Sequence, residues 1–372
     1  EVDTFYINRK TYFNSATASI CDSLGNLLFY TNGEYVSTRL HTEMRGGNGI
    51  GQGGDKGNNL IQGYMALPFP EHKDLYFIIY GQWEIREGKF GVMYNFQYSL
   101  VDMALDNGMG RVIQRNVLVS DNDFSWGNIT ACRHANGRDW WIAIPGYKNN
   151  SIELFLLDQE GLHSYSQQYF PDYDLNIGGV GSAVFSADGT KYIFTESYDI
   201  YQDKYIYIFD FDRCTGELSL VESVIETEST YAFSAIISPD SRVMYNILDT
   251  SIYQYRLDTS SISDSKVLVA EYDGFVDWVN TEFDLAALGP NGKIYVNSVS
   301  ASFYLTVIES PNVRGPACDV RQHSLRMPSY NFRTMPNFPN FRLGKLEGSP
   351  CDSLISGTAD RWADSRFKVY PN

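Results

Sequence analysis

The chain holds five histidines, His41, His72, His134, His163 and His323, and none falls in the HExxH or HxH spacing that turns two imidazoles toward one metal. His134 lies in the turn Arg133-His134-Ala135-Asn136-Gly137-Arg138-Asp139. It is either a general base or a turn histidine bonded to backbone. His41 precedes a glycine-rich run, Gly46 to Asn59, whose N–H groups are the kind that cradle anions. That run lacks GxxxxGK[ST] and opens no helix, so a long insertion is the better reading.

Carboxylates recur in loop pairs: Asp121 with Asp123, Asp172 with Asp174, and Asp199 with Asp203. Calcium takes six to eight oxygens, and a loop alternating Asp or Asn with backbone carbonyls gathers them, so Asp121 and Asp123 are the candidate ligands of a structural Ca²⁺. Otherwise such pairs are solvated loop charges, or the acid/base couple of a glycosidase, whose separation spacing in sequence does not report. Trp83, Trp126, Tyr147, Tyr173 and Trp278 fall in or beside loops, where flat rings stack on sugars or anchor a protein interface. The competing role for such rings is packing between sheets. Trp140 and Trp141 sit inside a strand and face opposite ways, which puts at least one in the core.

The elements that position these residues follow from a repeat. A strand of small residues, a turn of Asp, Asn, Pro or Gly, and a strand rich in Tyr, Ile, Phe and Trp recur as ASICDSLGNLLFY from Ala18, MALPFPEHKDLYFII from Met65, TACRHANGRDWWIAI from Thr130, AVFSADGTKYIF from Ala183, AIISPDSRVMYNI from Ala235 and AALGPNGKIYV from Ala286. Asp-Gly and Asn-Gly accept the positive φ of a tight hairpin. Equivalent turn positions Gly137, Gly189, Ser241 and Gly292 stand 52, 52 and 51 residues apart. Between them lies a second hairpin, IELFLLDQEGLHSY from Ile152, IYIFDFDRCTGELSL from Ile206 and IYQYRLDTSSISDSKVLV from Ile252.

Four antiparallel strands per repeat of this length are the blade of a β-propeller. The fold is therefore read as all-β, a β-propeller of six or seven four-stranded antiparallel blades. A tail from Pro311 to Arg342, paired with a strand near Thr4 to Phe13, is the candidate seventh blade and the closure of the ring. Unrelated hairpins in two sandwiches would not keep equal spacing.

Lys plus Arg number 29 against 45 Asp plus Glu, a net charge of −16 that repels phosphate backbones and anionic head groups. Nucleic acid is thus not an expected partner. The longest apolar runs, Leu75 to Tyr80 and Tyr205 to Phe209, are far shorter than the roughly 18 residues of a membrane-spanning helix, so no membrane insertion is expected. Five widely spaced cysteines include no CxxC pair, which excludes a zinc knuckle and a thioredoxin-like motif.

Several segments together resemble a family of secreted Bacteroidetes β-propeller proteins that carry a type A C-terminal sorting domain for the type IX secretion system. They are CDSLGNLLFYTNG at Cys21 to Gly33, HANGRDWWIAI at His134 to Ile144, PNVRGPACDVRQHSLRMPSYNFRTMPNFPNFRLGKLEGSPCDSL at Pro311 to Leu354, and FKVYPN at Phe367 to Asn372. The resemblance implies a propeller over residues 1–354, a linker and the start of a sorting domain over 355–372, and an extracellular or outer cell-surface address, with which a start at Glu1 after a removed leader agrees. It implies no catalytic activity. Such an address permits disulfides, and Cys318 and Cys351, flanking the tail, are the expected pair, with Cys21, Cys132 and Cys214 as small buried residues.

The expected function is a non-catalytic binding or assembly module on a bacterial surface, free of cofactors apart from a structural Ca²⁺. Its partners would be other secreted or surface proteins, glycans, or further copies in a homo- or hetero-oligomer. The alternative is an extracellular hydrolase or lyase with its site at the central mouth. Carboxylates, or a histidine with a carboxylate, converging at a mouth would favour the enzyme, and an open aromatic face the binding module.

Overall fold

Strict alternation builds the sheets. In the strand containing Trp140 and Trp141, both indoles are buried, yet Trp140 packs with Phe155 and Ile142 on one face and Trp141 with Leu154 and Phe209 on the other. A strand buried on both faces needs a neighbouring sheet on each side, the condition a ring of blades satisfies.

The computed structural model describes residues 11–51, 58–86, 90–171, 181–196, 204–227 and 233–352. The first sheet contains β1 (Ala18–Cys21), β2 (Leu27–Thr31), β3 (Tyr35–Thr38) and β4 (Glu43–Asn48), and the second β5 (Tyr64–Pro68), β6 (Leu75–Arg86), β7 (Phe90–Asp102) and β8 (Arg111–Ser120). The third contains β9 (Thr130–Arg133), β10 (Trp140–Pro145), β11 (Ser151–Asp158) and β12 (Gly161–Tyr169), and the fourth β13 (Ala183–Phe185), β14 (Lys191–Glu196), β15 (Lys204–Phe211) and β16 (Leu218–Glu226). The fifth contains β17 (Phe233–Ile237), β18 (Val243–Leu248), β19 (Ser251–Arg256) and β20 (Val267–Glu271), and the sixth β21 (Phe283–Leu288), β22 (Ile294–Ser298), β23 (Ser302–Ile308) and β24 (Val320–Asn331). All strand pairs within these six sheets are antiparallel, and one parallel pairing, Arg45 opposite Arg111, joins the outer edges of the first two. Asp106 lies between those two arginines and accepts from both Nε and Nη2 of Arg111, at 3.1 and 2.5 Å. Helix among the described residues is limited to short 3-10 turns such as Asp106–Gly108 and Gly315–Cys318.

Each of the six hairpins expected from the repeat is the inner pair of a sheet, and the three second hairpins are outer pairs. The turns repeat atom by atom. Ser186 Oγ donates to Asp188 Oδ1 and accepts from Lys191 N, with Gly189 at φ +73°; 52 residues on, Ser238 Oγ donates to Asp240 Oδ1 and accepts from Val243 N, with Ser241 at φ +62°. Blades are riveted by the same spacing: Ser182 Oγ accepts from Ala235 N of the next sheet, and Ser234 Oγ donates to the Asp284 carbonyl of the one after. Five apolar clusters fill the spaces between successive sheets from the first to the sixth.

The tail departs from expectation. Pro311 to Arg342 supplies no seventh sheet: it contributes β24, the outer strand of the sixth, and then turns inward. Its apolar pattern suits a blade, but its residues after Asn331 are Pro and Asn rich, and proline cannot donate to a ladder. Residues 4–10 of the proposed partner strand, and 353–372, lie outside the described residues.

Candidate functional site

Innermost strands β1, β5, β9, β13, β17 and β21 face a common axis, and their small residues, Ala18, Ala66, Ala131, Ala183, Ala235 and Ala286, let six backbones converge there. The segment after β24 threads this axis from the mouth where inner strands begin to the mouth where they turn. Arg333 first pairs with buried Asp284 of the sixth sheet, at 2.9 and 3.2 Å, and Thr334 Oγ1 donates to the Asn14 carbonyl ahead of the first sheet at 2.7 Å. The tail thereby ties the last sheet to the first. Burial pushes the Asp284 carboxyl above its usual range, and Arg333 works against that shift.

Asn337 follows, buried, with Nδ2 directed at the carbonyls of Ile129, Tyr64 and Gln62 at 2.9, 3.3 and 3.4 Å. Gln62 reaches onward, its amide exchanging both hydrogen bonds with the Ala183 backbone. Phe341 stands edge-on to Trp140, with ring centres 5.6 Å apart, and Asn340 Nδ2 donates to the Ala187 carbonyl. At the far mouth Arg213 gathers three carbonyls, those of Arg133, His134 and Gly344, and Leu346 N donates to Ala135. The doubled Pro-Asn-Phe of residues 336–341 was the available signal for this role; nothing local marked Arg213.

A disulfide ends the run, and it corrects the expected pairing. Cys351 bonds Cys214, in the outer turn of the fourth sheet, across a sequence separation of 137, whereas Cys318 is a buried free thiol beneath the sixth. Threading carries Cys351 away from Cys318 to the fourth sheet, two blades back from the sixth, and Cys214 is no isolated buried residue. Cys21 and Cys132 form no disulfide, and burial raises both thiols to about 12.

His134 takes the turn role. It stands 52 residues before Ser186; Nδ1 accepts from Asn136 N at 3.0 Å, which leaves Nε2 to donate to the Cys214 carbonyl at 3.1 Å. Burial holds this imidazole below its ordinary pKa, so it is neutral. His41 is half-buried, and its Nδ1 meets the Tyr30 hydroxyl at 3.1 Å.

The other loop candidates divide. Trp83 and Trp126 are partly buried and stack on each other with centres 5.4 Å apart, so closely over the backbone that a Cβ on Gly91 would come within 2.6 Å of the Trp126 ring. Tyr147 N donates to the Asp123 carbonyl, which brings Tyr147, Asp121 and Asp123 to the same corner of the second and third sheets. Asp121 is exposed and Asp123 half-buried, and no group of three or more metal-ligating side chains gathers among the described residues. Nearby Glu153 is buried and accepts from Asn122 Nδ2 at 2.7 Å; burial raises its pKa. Trp278 differs, being 71% exposed on the loop before β21, with Tyr330 edge-on at 5.6 Å and Val276, Val279 and Phe332 exposed as well. Tyr173, Asp172, Asp174, Asp199 and Asp203 lie outside the described residues.

What the tail leaves of the axis is a cavity of about 340 Å³. Its walls are mainly alanine, valine, isoleucine, leucine and proline from the inner strands, with Phe338 and Phe341 of the tail. Arg133 and Arg342 line it, and among the described residues no Asp, Glu or His does.

No family model matches the chain, and no curated relative does. Among solved structures it is similar to the hydrazine synthase of Kuenenia stuttgartiensis, at TM-score 0.49 and 12% identity over 91% of this chain and 94% of that one. It is also similar to a putative 6-phosphogluconolactonase from Bacteroides uniformis, at TM-score 0.43 and 13% identity over 78% and 76%. The periplasmic gluconolactonase PpgL of Pseudomonas aeruginosa gives TM-score 0.42 and 12% identity over 81% and 95%. Likenesses at these scores and identities assign no chemistry to the chain.

Proposed function

We propose that the protein is a secreted, surface-associated propeller that acts as a non-catalytic binding or assembly module through protein or glycan contacts. The observation that carries this reading is the threaded axis. A propeller enzyme with its site at the central mouth needs a proton donor and acceptor converging there. Here the chain's own tail runs through that space, and among the described residues the remaining walls carry neither carboxylate nor imidazole. Contact then falls to outer surfaces, and the aromatic patch around Trp278 and Tyr330 is the strongest candidate. The Cys214–Cys351 bond supports an oxidising, extracellular address, which the sorting-domain resemblance also implies.

Purification from the native source with associated chains intact, followed by imaging and sizing, tests the reading. A bound partner, glycan or higher-order assembly that is lost in Trp278→Ala, with folding unchanged, is the expected result. Turnover of a polysaccharide or peptide by the purified chain would falsify it.

A further inference from the structure

We propose that the axial cavity is a binding site for a small monocarboxylate with a short apolar body. This goes beyond the surface-contact reading and does not depend on it.

Shape and charge select the ligand class together. At about 340 Å³ the cavity sits at the small end of ligand pockets, which run roughly from 300 to 1,000 Å³. Val184, Ile236, Ala287 and Phe338 offer no hydrogen bonds from their side chains, and the amides of Gln62, Asn337 and Asn340 on the wall are already bonded to backbone, so a polyhydroxylated guest would regain little of its lost hydration. The cations on the wall are arginines, on a chain whose net charge is −16, and among the described residues no acidic side chain shares the cavity with them.

Arg133 is the anchor. Its guanidinium lies over the Trp140 ring, 3.8 Å from the centre, a contact that restrains its position. Nη1 donates to the Arg138 carbonyl at 2.5 Å, and Nε is buried without an acceptor among the described residues, which leaves Nη2 as the nitrogen to meet a guest. The neighbouring carboxylate, Asp139, is already taken by Arg138 and Asn136, both oxygens accepting at 2.6 to 2.9 Å. Burial lowers the Arg133 pKa to about 10, which still leaves it charged at neutral pH. A largely buried cation on a mainly apolar wall is satisfied by one carboxylate, whose hydrocarbon body then fills the space beside β13, β17 and β21.

Isothermal titration of the intact, oxidised chain with sodium octanoate tests the proposal, with 1-octanol and sodium sulfate as comparators. One octanoate per chain is expected. Because charge-assisted hydrogen bonds carry the selectivity, octanol and the Arg133→Gln variant should each bind roughly tenfold or more weakly. Arg133→Lys should recover part of the loss. Ala287→Phe, on the opposite wall, fills the cavity without touching the cation and should abolish binding, so the test survives if Arg133→Gln does not fold. No octanoate heat in the wild-type chain, equal affinity in Ala287→Phe, or sulfate competing as well as octanoate would each overturn the proposal.

Discussion

Removal of the bridge that ends the axial tail, by Cys351→Ser, has a magnitude that follows from topology. Closing a loop over a separation of 137 residues restricts the unfolded chain by about 5 kcal/mol at 25 °C in the chain-entropy description. That figure is a ceiling, because unfolded chains keep residual structure and measured effects run at roughly 2–5 kcal/mol. Local release lowers it no further than the contacts at the far mouth, the Leu346–Ala135 and Arg213–Gly344 hydrogen bonds, each worth about 1 kcal/mol. Urea unfolding of the oxidised chain should therefore show Cys351→Ser and Cys214→Ser destabilised by roughly 2–5 kcal/mol. The two losses should be equal, and the double variant should add nothing, since both residues belong to one bond. Cys318→Ser changes a buried thiol that forms no disulfide and should fall outside that pattern. Alkylation of the denatured, unreduced chain should find three of the five cysteines free. Five free thiols, a peptide linking Cys318 to Cys351, or additive losses in the double variant would refute the threaded-tail account.

Asn337→Ala removes a side-chain amide that faces three carbonyls of the second and third blades, and leaving buried acceptors unmet costs roughly 1–3 kcal/mol; denaturant midpoints of the two forms measure it. The same variant should expose the tail to limited proteolysis before the blades unfold. For His134, burial holds the folded pKa below the unfolded value of about 6.5. The unfolded state then binds the proton more tightly, so its share of stability is complete above about pH 6.5 and is lost as pH falls from there toward the folded pKa. Urea midpoints between pH 7.5 and 5 should fall more steeply for the wild-type chain than for His134→Gln, and parallel slopes would contradict the assigned turn role.

How far the sequence anticipates this molecule depends on the range of the interaction. Within a repeat the determinants are local: the Ser-x-Asp-Gly turn of residues 186–189 and its copy at 238–241 build the same hydrogen bonds 52 residues apart, and Trp140 and Trp141 fall on opposite faces because strands alternate. Those features follow from pairwise rules of spacing and φ, so hairpins, blades and the small residues lining the axis are all readable. Loop aromatics are less so. Trp83 is withdrawn from the surface by Trp126, more than forty positions away, through a hairpin extension whose geometry no local pattern announces.

The axial tail marks the limit. Its bonds are made by side-chain amides and a guanidinium to backbone carbonyls of other blades, and carbonyls carry no sequence signature. Asn337 meets Ile129 across 208 residues, and Arg213 meets Gly344 across 131. Cysteine pairing inherits that blindness: Cys318 and Cys351 are near in the chain, but β24 returns the chain to the mouth where inner strands begin, and the only course left to the tail inside a closed ring is the axis. Cys351 then emerges beside the outer turn of the fourth sheet, within reach of Cys214, with 5.8 Å between Cα atoms. The direction of one outer strand thus decides three things together: the disulfide partner, the closure between last and first blades, and the space left over for a ligand.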